Sequence, residues 1–343
     1  MPFLPSKPIL LILLAVLISC SGQDEKDAAD FFLKGNKALN QKNYAEALRL
    51  YDEAISKNAD FSDAYLNKGI TLLKLGRPSD AYEILTEAVR IDPSLVQANL
   101  VRAEAGLDLG RLQDVRQDLS LIEKEYKDST RYYLVEGNLY EAQGNASSAL
   151  SAYDRAIALD KLNVEAYVNR GAVHYRIRDF HQARYDFENA LALDPALPQA
   201  LNNLGLIAIK NMDWKHANEL FDKVLDKNPD DAYSLNNKGY VLLHSGEADQ
   251  AKRLIERSLE KQPKNGYALR NLGLYYQRQK QYNEALKSYL KAVELADPVE
   301  ELYGLTGQTY FELKDKANAC KIWKQGIILK DSLAITEARR NCQ

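Results

Sequence analysis

Nine copies of a 34-residue unit follow one another from Ala28 to Leu333 with no residue inserted or lost. The units begin at Ala28, Ser62, Val96, Thr130, Val164, Pro198, Ala232, Gly266 and Glu300. The eighth place is glycine in eight of them: Gly35, Gly69, Gly137, Gly171, Gly205, Gly239, Gly273 and Gly307, with Ala103 the exception. The twentieth is alanine in eight: Ala47, Ala81, Ala149, Ala183, Ala217, Ala251, Ala285 and Ala319, with Val115 the exception. The chain holds only 17 glycines, so composition alone does not produce this phase. A unit this short cannot bury its own apolar face, and neighbours must stack.

Between these landmarks the apolar spacing is helical. In the fifth unit Tyr167, Gly171 and His174 share one face of a first helix, and Ala183, Phe187 and Ala190 share one face of a second. Small residues at the crossing let the two helices approach, and aromatic residues fill the flanks. Pro93, Pro195, Pro229 and Pro263 close their units, because proline cannot continue a helix and restrains the residue before it. Each unit therefore reads as a helical hairpin.

These residues resemble the tetratricopeptide repeat, most clearly in the fifth unit through Tyr167, Gly171, Ala183, Phe187 and Pro195. His174 stands where that family has tyrosine. The resemblance implies an all-α, right-handed superhelical solenoid of nine hairpins at 28–333, followed by a short C-terminal capping helix at 334–343. It also implies binding of other proteins rather than catalysis. The third unit departs from the pattern, with Asn99 for the aromatic and Val115 and Ile122 for small residues. Two readings stay open there: plain divergence, or a looser hinge between units one to two and four to nine.

Residues 1–19 read as an address rather than as structure. Lys7 and the amino terminus supply positive charge, and the apolar run from Ile9 to Ile18 is short for a bilayer span. The run ends in Leu17-Ile18-Ser19-Cys20. This resembles the bacterial lipoprotein signal and implies lipidation of Cys20, with residues 20–27 as a tether. Several acyl chains on one residue anchor a protein stably. Ser21 is not the aspartate associated with inner-membrane retention, so the expected location is the cell envelope at the outer membrane. Export would permit a disulfide between Cys320 and Cys342. Spacing alone does not supply its geometry, and two free, half-buried thiols are the expectation.

Removing the first 19 residues leaves 44 basic against 48 acidic residues, so the charge balance gives no sign of a nucleic-acid partner. The four histidines lack metal-pair spacing, and the glycines follow the repeat rather than a phosphate loop. No nucleophile, base and orienting group assemble. The reading is of no enzyme, no cofactor, no metal and no small-molecule substrate.

Helical geometry places the second, sixth, ninth and thirteenth places of each first helix opposite its partner helix. In the resembled family this face lines the concave groove. The sixth place carries Asn67, Asn169, Asn203, Asn237 and Asn271. Asparagine is poor in a helix interior, so its recurrence requires a reason. One is binding, since an amide row both donates to and accepts from the backbone of an extended peptide. A similar row lines the repeats of O-GlcNAc transferases. The other is bridging between neighbouring helices, and both readings stay open. Seven residues after the last four come Arg176, Lys210, His244 and Arg278, a basic edge suited to an acidic peptide or a free carboxylate. Those side chains also sit where a helix dipole favours positive charge. Tyr233, Tyr240 and Tyr267 supply flat contact area in the same region.

The carboxylate clamp of chaperone-binding repeats pairs a lysine with an asparagine four residues later. Here Glu165, Gln199, Tyr233 and Tyr267 hold the lysine's place, so its ligands are not implied. In the first units the inner face is more apolar, through Leu33, Ile70, Val101 and Val135. Those residues serve either contacts between units or a second binding region. The functional expectation is a membrane-tethered scaffold that holds a protein or peptide segment in its groove. The alternative is a pilotin-like assembly factor for a pilus or secretion machine.

Overall fold

A computed structural model describes residues 8–342, with side chains from residue 23 onward. The expected lipidated residue, Cys20, therefore lies outside the residues whose side chains are described. Nineteen α-helices run through the described residues. They are α1 (Pro8–Asn40), α2 (Tyr44–Lys57), α3 (Ser62–Lys74), α4 (Pro78–Ile91), α5 (Val96–Asp108), α6 (Leu112–Tyr126), α7 (Thr130–Ala142), α8 (Ala146–Leu159), α9 (Val164–Arg176) and α10 (Phe180–Leu193). There follow α11 (Pro198–Lys210), α12 (Trp214–Lys227), α13 (Ala232–Ser245), α14 (Ala248–Lys261), α15 (Gly266–Arg278), α16 (Tyr282–Glu294), α17 (Leu302–Glu312), α18 (Lys316–Ile328) and α19 (Ser332–Asn341). Among the described residues no helix is long and apolar enough to cross a membrane. The chain forms two compact units, Met1–Val173 and His174–Gln343.

The glycine at the eighth place is where each hairpin closes. A Cβ at Gly35, Gly137 or Gly273 would lie within 2.6 Å of the ring of Tyr51, Tyr153 or Tyr289. At Gly205 it would meet Phe221, and at Gly307 Trp323. Each of these partners stands at the twenty-fourth place, and all five are fully buried. Burying a side chain of that size contributes about 1.5–3 kcal/mol.

The third unit is repacked rather than loosened. Ala103 replaces the glycine, and the smaller Leu119 replaces the ring at the twenty-fourth place. The glycine has moved to Gly106, whose added Cβ would lie 2.8 Å from Val115 Cγ2. Ala103, Val115 and Ile122 are fully buried in one core with the fourth unit. This packing favours divergence over a hinge.

Two further devices set the turn inside each hairpin. The fifteenth place has a positive φ in all nine units: Gly76, Gly110, Gly144 and Gly246, and also Lys42, Arg178, Met212, Lys280 and Lys314. Only glycine takes this left-handed conformation without steric cost. In five units the next residue then caps the second helix through its side chain. Asn43, Asn145, Asp179, Asp213 and Asp315 each accept a backbone N–H three residues on, satisfying a donor that the helix leaves unpaired.

The C-terminal helix corrects one expectation. Cys320 and Cys342 are joined in a disulfide, with Cα atoms 5.7 Å apart. The cause is tertiary: α19 turns back onto α18, burying Ala334 and Ala338 against Ala319 and Trp323, and this carries Cys342 to Cys320. Asp331 holds the turn, capping α19 through Ala334 N–H and accepting from the N–H groups of Tyr303 and Gly304.

A Cβ at Gly239 would lie 2.6 Å from Ile255 Cγ1. Gly239→Leu is expected to lower stability by roughly 1–3 kcal/mol through overpacking. Urea titration followed by circular dichroism measures it, and an unchanged midpoint would contradict the assigned phase.

Candidate peptide-binding groove

In both compact units it is the first helices of the hairpins that also touch each other. In the first, α1 meets α3, α3 meets α5 and α5 meets α7; in the second, α11 meets α13, α13 meets α15 and α15 meets α17. Within each compact unit the second helices make no such direct contacts among the described residues. The first helices therefore form the inner layer, and the places opposite the partner helix are presented on it.

The asparagines on this layer divide into two sets. Asn67 donates its amide to Asn36 Oδ1 at 2.7 Å, and Asn36 also accepts from the Tyr51 hydroxyl. Asn169 does the same with Asn138, which accepts from Tyr153. Asn271 is 1% exposed and donates to Asn236 at 2.8 Å. These three hold successive first helices together. Asn203 and Asn237 remain partly exposed, Asn237 accepting from Asn236 at 3.3 Å. Tyr233 stands one turn before Asn237 on α13 and Tyr267 holds the matching place on α15; the two are 60% and 45% exposed. Of the apolar inner residues in the first units, Val101 and Val135 are buried between helices, Ile70 is half-buried, and Leu33 stays exposed.

The basic edge is largely engaged within the chain. Arg278 Nη1 donates to the Leu243 carbonyl in the last turn of α13, filling an acceptor that the helix leaves open. Its Nη2 lies 3.3 Å from His244 Nε2. Lys210 Nζ is paired with Glu300 at 2.8 Å. Arg176 is exposed at the end of α9 and has interactions of its own.

His244 contributes a flat face rather than a charge. Its ring stacks on Trp214 at 4.6 Å and 8° between planes, and Tyr240 lies 4.6 Å away on a tilt. Partial desolvation by the stacked rings, with the charges of Arg278 and Arg270, pushes its pKa down to about 4, so the ring is neutral at pH 7. Sequence reasoning missed Trp214 and Arg270. The Arg270 guanidinium lies 5.1 Å from the centre of the Tyr240 ring and 5.8 Å from that of Tyr267, cation–π range for both. Arg270 is 8% exposed, and its Nε has no hydrogen-bond partner. Its place beside two inner-face tyrosines was a usable signal. Trp214 belongs to a second helix, so inspecting the first helices could not find it.

The His244 pKa fixes a pH dependence. The unfolded chain takes up this proton below its ordinary value of 6.5, and the native protein only near 4. Stability is therefore lost as pH falls through that window. Thermal melts between pH 7 and 4 are expected to show a shallower decline in Tm for His244→Phe than for the native chain. Parallel curves would contradict a ring held neutral by the packed aromatics and arginines around it.

Comparison with known proteins agrees with this architecture. Tetratricopeptide-repeat and TPR-repeat family models match residues 38–98, 137–177, 164–197, 202–251 and 230–297. The chain is 24% identical over 166 residues to the probable UDP-N-acetylglucosamine–peptide N-acetylglucosaminyltransferase SPINDLY of Hordeum vulgare, covering 46% of this chain and 18% of that one. It is 29% identical over 150 residues to human DnaJ homolog subfamily C member 7, covering 41% and 30%. The chain thus spans less than a third of the length of these curated relatives. Among solved structures, the APC/C hetero-tetramer Cut9–Hcn1 superposes with a TM-score of 0.65 at 15% identity, over 92% of this chain and 76% of that one. A tetratricopeptide-repeat protein from Parabacteroides merdae does so with 0.58 at 16% identity, over 72% and 98%. With the repeat positions, the hairpin closure and these matches in agreement, the chain belongs to the tetratricopeptide-repeat family.

Proposed function

We propose that this protein is a scaffold tethered to the bacterial cell envelope by a lipid on Cys20. It holds an extended segment of another protein on the inner layer of its second compact unit. The observation that carries the binding reading is the presence on the inner layer of the partly exposed Asn203 and Asn237 with the exposed Tyr233 and Tyr267. Amides that both donate and accept suit a peptide backbone, and half-exposed tyrosines add contact area at little entropic cost. The repeat fold itself supports a protein-interaction role.

Two features favour the envelope: the apolar run ending at Cys20, and the Cys320–Cys342 disulfide, a bond that persists in oxidising compartments. The outer membrane is the proposed site because Ser21 follows the cysteine. A role in assembling an envelope machine is the second reading. It is favoured by likeness to PilW, titled a widely conserved type IV pilus biogenesis factor, with a TM-score of 0.50 at 20% identity over 57% of this chain.

Both parts are testable. Cys20→Ala is expected to move the protein from the membrane to the soluble fraction, whereas persistent attachment would exclude lipidation as the anchor. Asn203→Ala with Asn237→Ala is expected to lower affinity for a captured partner roughly 10-fold, from the loss of two net hydrogen bonds. Capture from envelope extract with mass spectrometry identifies the partner, and titration measures the loss. A pilus or secretion channel among the lost partners selects the second reading. Unchanged affinity returns both asparagines to a structural role.

A further inference from the structure

The linker before α17 differs from its equivalents. Helices α12 and α13, like α14 and α15, are joined by four residues, 228–231 and 262–265, whereas seven residues, 295–301, separate α16 from α17. The overall repeat length is unchanged, so the extra linker comes from shortened helices. Ala296 and Glu301 near its two ends both hold positive φ without being glycine. The linker is anchored on the start of α15. Val299 is buried against Gly266, where an added Cβ would lie 2.9 Å from Val299 Cγ2, and the Tyr267 hydroxyl donates to the Pro298 carbonyl at 3.3 Å.

This anchoring aims Glu300 across the inner layer. Its carboxylate accepts from Lys210 Nζ at 2.8 and 2.9 Å, a contact between residues 90 apart in sequence that passes over α13 and α15. Burial opposes ionisation of Glu300, but the Lys210 ammonium and the charges of Arg270 and Arg178 hold its carboxyl below the usual range. Lys210 meets Glu300 directly, and the Arg270 guanidinium lies over the ring of Tyr267, the same tyrosine that anchors the linker. The Glu300 and Lys210 side chains are 51% and 37% exposed, so solvent weakens their pairing and an incoming group can reach it.

We propose that Lys210 and Arg270 form a carboxylate-binding subsite, that Glu300 occupies it as an internal stand-in, and that an acidic side chain of the partner segment displaces Glu300 on binding. The proposal rests on the groove reading above and specifies its ligand: an extended segment bearing Asp or Glu. The 295–301 linker is then a weak latch.

The test uses the full chain in detergent and a fluorescent hexaglutamate probe with acetylated and amidated ends, read by anisotropy. Glu300→Gln is expected to bind the probe roughly 2–10-fold more tightly than the native chain, the range for removing one exposed ion-pair competitor. Hydrogen exchange over 295–301 is expected to rise in the same variant. Glu301→Gln makes the same charge change one residue away and is expected to give no gain. Adding Arg270→Gln to Glu300→Gln is expected to abolish the gain, with circular dichroism confirming the fold. A glycine–serine peptide with a free C-terminus, binding as tightly as hexaglutamate, would assign the subsite to terminal rather than side-chain carboxylates and overturn the proposal. Equal probe affinity for the native chain and Glu300→Gln, or an equal gain from Glu301→Gln, would overturn the latch and leave the groove reading intact. A probe that binds neither protein would overturn the carboxylate subsite. The Asn203 and Asn237 capture experiment then decides separately whether the groove holds a peptide at all.

Discussion

Two helices can close into a hairpin here because one offers a glycine where the other brings a bulky apolar side chain. The approach is too close for a Cβ, and the rings of Tyr51, Tyr153, Phe221, Tyr289 and Trp323 lie where a methyl group would otherwise stand. Close packing at that point sets the spacing of both helices, and with it the directions in which the remaining faces point. One face meets the partner helix, the next meets the neighbouring hairpin, and the one left over is the inner layer. The third unit shows that the constraint is on volume rather than on identity. Alanine with leucine fills the place of glycine with a ring, and a displaced glycine makes room for Val115.

The glycine and alanine phase made the hairpins legible from sequence, because those residues mark a contact that each unit makes within itself. The left-handed fifteenth place was harder to read. It is glycine in only four of nine units, and Lys42, Arg178, Met212, Lys280 and Lys314 adopt the same backbone without advertising it. The residue that follows is a capping asparagine or aspartate in five units, while Arg77, Arg111, Glu247 and Gln281 stand there without a side-chain cap. The disulfide was not legible, because the proximity of Cys320 and Cys342 depends on α19 folding back, and no local pattern encodes that return.

On the inner layer, sequence reading found the residues but not their partners. A sixth-place asparagine looks the same whether it faces solvent or a neighbour. Asn67 and Asn169 differ from Asn203 because Asn36 and Asn138 stand ready one unit earlier, themselves tied to Tyr51 and Tyr153. Charge was subject to the same ambiguity. His244 is neutral because it stacks on Trp214 beside arginines, Arg278 serves a helix end, and Lys210 is met by a glutamate 90 residues away. Formal charge along a helix face therefore overstated the cations on offer, while Arg270, placed between two tyrosines, went uncounted.

Stacked hairpins come apart like a zipper, most readily at an end where a hairpin has a neighbour on one side only. In this chain the C-terminal margin is sewn shut. With Cys342 bonded to Cys320, α19 cannot peel from α18 by itself, and Asp331 ties the same turn to the start of α17. The last three helices must therefore lift together or not at all. Glu300 leads directly into that stapled block. Movement of its linker can then be absorbed by the linker's own backbone, while the wall behind it stays still.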